Sequence, residues 1–452
     1  MRHIALKLTP DQYEKNFADI NPPLTHQQAL IEAARCLYCY DAPCIKACPT
    51  SIDIPTFIRK ISTGNVKGAG RVILSANILG ESCGRVCPVE ELCEGSCVLN
   101  ESGEKPVEIG RLQRHAVDYI LDHDIRLFSA GEPNGRRVAC VGAGPASLAC
   151  AAELAQRGYA VEIFDRKPLP GGLNTYGIAA YKTRARDSLR EMKLVEDLGV
   201  KFHAEMEVGK TLALKDLEER FDAIFIGAGL GETWNLGIPG EELEGVYGAL
   251  EFIEQTKVRP FSQVNVGRRV AVVGAGNTAI DAVTAARRLG AETVYMVYRR
   301  GEDAMPAFPY EQELAKQDGF IPLWNSQPRR VLGMDAKVQG LECVRTRVKG
   351  DGRSGKVEAI SGTEFVIDVD MVIKAIGQQS LASVFSSIPG FEIAQGRIVV
   401  DPETHQTGNP KYFAAGDCVN GGKEVVDAVA EGMAAARGID TWLMSRPGAP
   451  HR

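Results

Sequence analysis

Short apolar runs alternate with longer amphipathic stretches through most of this chain. Residues 138–141 form one such run, followed by a glycine turn at 142–147, a helical stretch and a second apolar run at 161–164. The same order recurs from the glycine turn at 274–279 to the apolar run 294–298. Apolar runs joined through one helix are typical of parallel βαβ units. The pattern therefore predicts two doubly wound α/β domains.

The segment before these units has a helical pattern instead. One apolar stripe at helical spacing is made by Ile109, Leu112, Ala116, Tyr119 and Ile120. A linker rich in turn formers follows at residues 123–134. Farther on, residues 347–370 alternate in polarity around a glycine-rich turn, which predicts a β-hairpin. We therefore expect a small, mostly helical domain ahead of the α/β domains.

Composition and charge narrow the class of protein. The 452 residues are 44% apolar and 24% charged, as in a globular protein of roughly three domains. The 52 basic and 58 acidic residues give a net charge of −6, so the chain has no excess of positive charge with which to bind nucleic acid. The start MRHIALKLTPDQYEKNF has charges at short intervals, and the uncharged apolar stretch at residues 138–152 is interrupted by glycine and proline and is too short to cross a bilayer. We expect a cytoplasmic protein without nucleic-acid or membrane partners.

Eight of the twelve cysteines are concentrated near the start of the chain. They form two strings, Cys36-x2-Cys39-x4-Cys44-x3-Cys48-Pro and Cys83-x3-Cys87-Pro-x4-Cys93-x3-Cys97. In a reducing compartment, closely spaced cysteines are more often metal ligands than disulfides. Eight thiolates would complete two four-ligand sites.

The first string favours iron–sulfur clusters over zinc. It is similar to the ligand string of bacterial ferredoxins, with one extra residue in its middle spacer, and the fourth cysteine of such strings serves the other cluster. Structural zinc sites usually pair two Cys-x2-Cys knuckles, and this segment has one. Zinc is the alternative. From spacing alone, Cys83 is the simplest eighth ligand.

Three segments carry a family resemblance. CLYCYDAPCIKACPTSIDIPTFI, NILGESCGRVCPVEELCEGSCVL and IGRLQRHAV resemble the N-terminal two-cluster domain of dihydropyrimidine dehydrogenase and the small subunit of glutamate synthase. The resemblance implies two [4Fe-4S] clusters with ligands shared across both strings. The implied ligands are Cys36, Cys39, Cys44 and Cys97 for one cluster, and Cys48, Cys87, Cys93 and Gln113 for the other. Cys83 would be a spare, although periodicity alone makes Gln113 a helix-surface amide.

The first glycine turn has the features of a Rossmann-like dinucleotide site. Gly142, Gly144, Pro145 and Ser147 open a helix after a strand, and Asp165 follows 23 residues after Gly142, at the end of the next strand. Such glycines let the backbone approach a pyrophosphate at the helix N-terminus, and such a carboxylate accepts hydrogen bonds from ribose hydroxyls. The segment is a strong candidate for binding a dinucleotide.

The second glycine turn ends differently. Its candidate binding residues are Gly274, Gly276, Asn277, Thr278 and Ala279. The strand after its helix is followed by Arg299 and Arg300 instead of an acid. Guanidinium groups fit a 2′-phosphate, so the pair favours NADPH. NADH is the alternative, because arginines at a strand end can be merely solvated.

The C-terminal segment GNPKYFAAGDCVNGGKEVVDAVAEGMAAARGI resembles the closing motif of two-dinucleotide flavoprotein reductases, and FDAIFIGAGLG resembles their inner motif. The resemblance implies that Gly416 and Asp417 approach the flavin, with Gly171, Gly172 and Lys182 beside it. Dihydropyrimidine dehydrogenase has an arginine at the position of Lys182. The glutamate synthase small subunit has a lysine there, as this chain does.

FAD would then bind the first unit, and NAD(P) would bind the second. The expected fold class is α+β multidomain, with a helical two-cluster domain followed by two Rossmann-like α/β domains. The expected boundaries are 1–125 for the cluster domain, 135–240 plus 370–452 for the FAD domain, and 241–369 for the inserted NAD(P) domain.

No residue stands out as a catalytic acid, base or nucleophile for a further substrate, and no dithiol pair accompanies the flavin motifs. The resemblance implies an oxidoreductase subunit that takes hydride from NAD(P)H onto FAD and passes single electrons through both clusters. Dihydropyrimidine dehydrogenase continues into an FMN barrel that this sequence lacks. We therefore expect a hetero-oligomer in which an FMN-containing partner reduces uracil or thymine. The alternatives are the small subunit of an NADPH-dependent glutamate synthase and a regulatory iron–sulfur module with vestigial nucleotide folds.

Overall fold

The computed structural model describes residues 7–350 and 352–446. The chain divides into two compact units. The inserted unit comprises the described residues up to Asp19, Tyr176–Tyr181 and Gly231–Gln379. The main unit comprises Ile20–Thr175, Lys182–Leu230 and the described residues from Ser380 onward.

All regular secondary structure described between residues 7 and 125 is helical, and helices recur between the strands of both units. Their bounds are α1 Pro10–Asn16, α2 His26–Ala33, α3 Pro43–Ala47, α4 Ile54–Ser62, α5 Val66–Ala76, α6 Gly80–Val86, α7 Ile109–Asp122, α8 Pro145–Gln156, α9 Leu173–Tyr176, α10 Ala185–Glu196, α11 Leu214–Arg220, α12 Ala249–Val258, α13 Asn277–Arg288, α14 Pro309–Asp318, α15 Asp417–Asn420 and α16 Val425–Met444. Short 3₁₀ turns lie at Val98–Ser102, Phe261–Gln263, Glu302–Ala304 and Ala382–Phe385.

The strands begin after the helical segment. Their bounds are β1 Arg137–Val141, β2 Ala160–Phe164, β3 Lys201–His203, β4 Ala223–Ile226, β5 Leu230–Thr233, β6 Val246–Gly248, β7 Arg269–Val273, β8 Thr293–Val297, β9 Ile321–Leu323, β10 Ser326–Met334, β11 Lys337–Lys349, β12 Lys356–Ala359, β13 Phe365–Ile367, β14 Met371–Lys374, β15 Gln378–Ser380, β16 Ile393–Ala394, β17 Arg397–Ile398 and β18 Tyr412–Ala414.

The main unit contains a parallel sheet of five strands in the order β18-β4-β1-β2-β3. Strands β18, β4, β1 and β2 are largely buried and apolar, as is usual for a parallel sheet covered on both faces. The predicted runs 138–141 and 161–164 appear as β1 and β2, each one residue longer at its start. Helices α8 and α16 pack closely, since a side chain at Gly432 would collide with the carbonyl oxygen of Ala146.

The inserted unit repeats this architecture with the strand order β6-β14-β7-β8-β9, again all parallel. Antiparallel strands β10, β11, β12 and β13 form a second sheet around β11. The predicted hairpin at 347–370 is present, although β11 begins earlier because Asp335 and Ala336 adopt positive φ and turn the chain from β10. Residue 351 in the hairpin turn lies outside the described residues.

The helical segment of the main unit has its own apolar core. Phe57, Ile61, Leu112 and Ile120 are fully buried in it, and α7 covers the predicted stripe. Leu79, at the start of α6, belongs instead to the core shared with β1 and α8. The helical segment and the five-stranded sheet are therefore packed together within one unit.

Helix α1 packs within the inserted unit, where Phe17 stacks on Phe261 with ring centroids 4.0 Å apart. The predicted fold class, a helical domain followed by two doubly wound α/β domains, is confirmed. Among the residues described, the structure contains no helix long and apolar enough to cross a membrane.

Candidate functional site

The first glycine turn connects β1 to α8. Gly142 has φ +92°, and a Cβ there would lie 2.5 Å from the carbonyl oxygen of Gly227. Gly144, the N-cap of α8, faces open space, because no described atom lies within 4 Å of a Cβ built on it. Gly142 therefore allows the backbone to make the turn, while Gly144 leaves the helix N-terminus accessible to a pyrophosphate.

Two polar side chains support this turn. Asp165 accepts hydrogen bonds from the backbone N–H of Ala143 at 2.6 Å and of Lys167 at 2.7 Å. Burial raises its pKa, and these N–H groups oppose that shift. Ser147 is fully buried on α8, and a side chain at Gly227 would collide with its Oγ. A small third residue is thus needed for close packing of helix on strand.

The C-terminal segment lies beside the first glycine turn and the start of α8. Gly416 has φ +77°, and a Cβ on it would lie 3.1 Å from the Cβ of Ala146 at the start of α8. Burial raises the pKa of Asp417, whose Oδ1 accepts the N–H of Lys423 at 3.3 Å. Glu431 on α16 accepts the N–H of Gly416 at 2.8 Å. Glu431 was missed by sequence reasoning because it lies in an ordinary helical segment.

The diglycine also belongs to this site. The N–H of Gly171 donates to the carbonyl of Ala143 at 2.9 Å, and a Cβ on Gly172 would lie 2.7 Å from the Cα of Gly144. Lys182 follows as a buried residue of the main unit. The structure therefore brings together the predicted glycine turn, the diglycine and the closing segment.

The second glycine turn, in the inserted unit, repeats the geometry of the first. Gly274 has φ +133°, and a side chain there would collide with the carbonyl oxygen of Ala375. Gly276 caps α13 and is open, because a Cβ placed on it would have only Pro306 nearby, at 4.0 Å. Asn277 accepts the N–H of Phe308 at 3.0 Å. Of the two remaining predicted residues, Thr278 is exposed and Ala279 is buried.

Arg299 and Arg300 follow β8 in the inserted unit. Arg299 is exposed. Arg300 is half-buried, and its Nη2 donates to the carbonyl oxygens of Arg353 at 2.9 Å and Gly355 at 3.2 Å. The two arginines that the sequence pairs therefore have different surroundings.

Four cysteines in the helical segment line one cavity that is open to solvent. They are Cys36, Cys39, Cys44 and Cys97, the set that the resemblance implied for one cluster. Burial and then the nearby thiols of Cys36 and Cys97 raise the pKa of Cys44 to about 11. Thiols held this close resist ionisation until a cation balances them, as iron does when it binds thiolates.

A second group of thiols forms around Cys87. A hydrogen bond with Cys83, then burial, then the nearby Cys83, Cys93 and Cys48 raise its pKa well above the usual value. Cys83 accepts a hydrogen bond from Asn77 Nδ2 at 3.2 Å. The spare cysteine is therefore part of this group.

Gln113 is buried on α7, not exposed as periodicity alone predicts. Its Nε2 donates to the carbonyl of Gly80 on α6 at 2.8 Å. Within the described residues, no three His, Cys, Asp or Glu side chains lie close enough to hold a single metal ion. In a four-iron cluster each thiolate bonds a different iron, so the ligands stand farther apart. The donor chemistry of both thiol groups fits such clusters.

Two open glycine turns, a closing segment and clustered thiols define an iron–sulfur flavoprotein reductase that uses a nicotinamide nucleotide. The chain belongs to the pyridine nucleotide-disulphide oxidoreductase family, whose sequence model matches residues 136–432. Residues 13–125 match the family described as dihydropyrimidine dehydrogenase domain II, 4Fe-4S cluster. The expected cofactor classes, FAD, NAD(P) and [4Fe-4S] clusters, are thereby confirmed.

Curated relatives align over nearly the whole chain. The small chain of glutamate synthase [NADPH] from Escherichia coli K12 is 36% identical over 446 residues, covering 94% of each chain. The NAD-dependent dihydropyrimidine dehydrogenase subunit PreT of the same organism is 32% identical over 437 residues, covering 95% of this chain and 98% of its own. Both kinds of relative expected from the sequence are therefore found.

Solved structures share the fold at low identity. FprA of Mycobacterium tuberculosis in complex with NADPH has a TM-score of 0.55 at 21% identity, covering 69% of this chain and 85% of its own. Thioredoxin reductase of T. acidophilum has a TM-score of 0.54 at 21% identity, covering 69% and 100%. These similarities concern the fold alone.

Proposed function

We propose that the chain is the electron-input subunit of a larger oxidoreductase, which takes reducing equivalents from NADPH and delivers single electrons to a partner subunit. When bound, FAD and the clusters supply the conversion from two-electron to one-electron chemistry. The observation that carries the proposal is the packing of the thiol groups and the flavin-type glycine turn within one unit. Such packing is what electron transfer between them requires.

The chain's own residues would bind and orient these groups. Gly144 and Asp417 would hold the flavin's phosphate region, and Gly276 would receive the nicotinamide nucleotide. The first cluster would be held by the four thiols that line the cavity. The second would be held by Cys48, Cys87, Cys93 and Gln113. We also propose functional segments 1–125, 135–240 with 370–452, and 241–369.

Two partner classes are candidates. An FMN-containing subunit that reduces uracil or thymine is supported by the CLYCYDAPC string, the Gln113 segment and the similarity to PreT. A glutamate synthase large subunit is supported by Lys182 and by the similarity to glutamate synthase small chains. In either case the partner completes a hetero-oligomer and converts the final substrate.

Reconstitution tests the proposal. The anaerobically purified chain is mixed with NADPH and an artificial dye, and then with either partner subunit and its substrate. We expect dye reduction by the chain alone, with dihydrouracil or glutamate formed only when the matching partner is present. Cys39→Ser should abolish product formation while retaining dye reduction, whereas Cys343→Ser, in the inserted unit, should alter neither. Uracil reduction by the chain alone would contradict the proposal.

A further inference from the structure

The segment that follows β8 is held by the tip of the antiparallel sheet. Arg300 donates from its side chain to the backbone carbonyls of Arg353 and Gly355, 53 and 55 positions away in the chain. Arg353 in turn donates from Nη2 to the carbonyl of Met305 at 2.6 Å. Two arginines thus make reciprocal side-chain contacts with each other's backbone segments, and we call this arrangement the arginine clamp.

The backbone beside the clamp is fixed as well. Thr346 on β11 donates from Oγ1 to the carbonyl of Arg299 at 3.0 Å. The N–H of Asn325 donates to the carbonyl of Arg300 at 3.0 Å, and the N–H of Ser326 donates to that of Tyr298 at the same distance. Three successive carbonyls after the strand therefore have partners, so the position of the chain is set before any ligand binds.

Two hydrogen-bond donors beside the arginine clamp have no partner among the described residues and are available to an anion. Within the described part of the chain, the Arg299 guanidinium has no hydrogen bond or ion pair, and Nε of Arg300 is buried without a partner. The adjacent Glu302 is engaged by Lys316 at 2.9 Å. An unused guanidinium and an orphan N–H at the end of the second strand fit the 2′-phosphate of NADPH.

We propose that Arg353 is a positioning residue for this 2′-phosphate site, and that the arginine clamp sets the protein's preference for NADPH over NADH. The inference rests on the proposed function. Arg353 acts through Met305 and through the hairpin backbone that Arg300 contacts. Because the clamp orders the Arg299–Arg300 segment in advance, phosphate binding does not have to order it. Residues remote in sequence, on a hairpin outside the dinucleotide fold, thereby determine nucleotide choice.

The test separates the phosphate from the rest of the nucleotide. Adenosine 2′,5′-bisphosphate and AMP are titrated into the holoprotein by calorimetry. We expect the bisphosphate to bind more tightly to the wild type, and Arg353→Ala to weaken it by about tenfold while leaving AMP unchanged. Arg353→Lys, which can still donate to the Met305 carbonyl, should recover part of the loss. In steady-state assays, Arg353→Ala should raise the KM for NADPH and leave kcat and the KM for NADH unchanged.

Arg347→Ala is the matched control. Arg347 lies on the same hairpin, is exposed and contacts Glu358 at 3.5 Å, away from the clamp. The proposal would be overturned if Arg353→Ala lost affinity equally for AMP and for the bisphosphate. It would also be overturned if Arg353→Ala and Arg347→Ala bound the bisphosphate equally well. Equal affinity of the wild type for both probes would overturn it too, because no 2′-phosphate site would exist. By contrast, a wild-type flavin that NADPH and NADH both fail to reduce would contradict the proposed function itself.

Discussion

Individual glycines in the first turn have separable roles. In Gly144→Ala the added methyl enters open space, so the apoprotein should keep its thermal midpoint while its affinity for FAD falls by roughly tenfold or more. In Gly142→Ala the methyl meets the Gly227 carbonyl at positive φ, so the apoprotein should lose about 1–3 kcal/mol of stability. Calorimetry of the apoprotein and flavin titration measure the two effects. Identical behaviour of both variants would contradict this division.

The eighth cluster ligand is a residue-scale question. We predict that Gln113→Ala lowers the iron content by roughly half, since one of two four-iron clusters is lost, and that Cys83→Ala leaves it unchanged. Gln113→Cys should restore both clusters and shift the reduction potential of one. Iron analysis with electron paramagnetic resonance provides the readout. Because Cys83 hydrogen-bonds to Cys87, loss of a cluster in Cys83→Ala alone would instead make Cys83 the ligand.

Sequence reasoning was strongest for residues whose role is local. Gly142 and Gly274 have positive φ as their turns require, and each follows its predicted strand. Glu431 and Arg353 could not be found in this way, because their partners, Gly416 and Met305, are brought to them only by the tertiary fold. The periodicity that suggested an exposed Gln113 failed because α6 packs over that face of α7.

At the scale of elements, α10 anchors α6. Glu191 on α10 accepts the N–H groups of Glu81 and Ser82 at 2.7 and 3.0 Å, and the Ser82 hydroxyl as well. Arg85 on α6 pairs with Glu81 at 3.0 Å and with Asp187 of α10 at 3.8 Å. From sequence these charges look like a solvated helix surface. Their burial depends on packing between segments more than 100 residues apart.

The contact between α10 and α6 predicts that the free energy of unfolding depends on pH. Burial raises the pKa of Glu191 and of its neighbour Glu81 above the usual 4.5, so the folded state holds protons that the unfolded chain has released. Stability should therefore fall as pH rises above about 4.5. Glu191→Gln keeps an acceptor and removes one of the two titrating carboxyls, so its thermal midpoint should fall less with rising pH. Glu196→Gln, exposed on the same helix, is the control, and equal pH profiles for all three proteins would refute the explanation.

For the whole molecule, two similar α/β sheets and a helical cluster segment could be predicted from the order of apolar runs and glycine turns. The grouping into compact units could not, because α1 packs within the inserted unit while the remaining helices of that segment pack in the main unit. Such grouping depends on contacts such as Phe17 on Phe261, which have no local sequence signal.

The most direct test of the central claim is an anaerobic titration of the purified holoprotein with NADPH, followed by flavin absorbance and by electron paramagnetic resonance of the clusters. The claim predicts that NADPH bleaches the flavin, that cluster signals then appear, and that Cys39→Ser loses one cluster signal while its flavin still bleaches. Flavin bleaching without any cluster reduction in the wild type, or no bleaching at all, would contradict the assignment of this chain as an electron-input subunit.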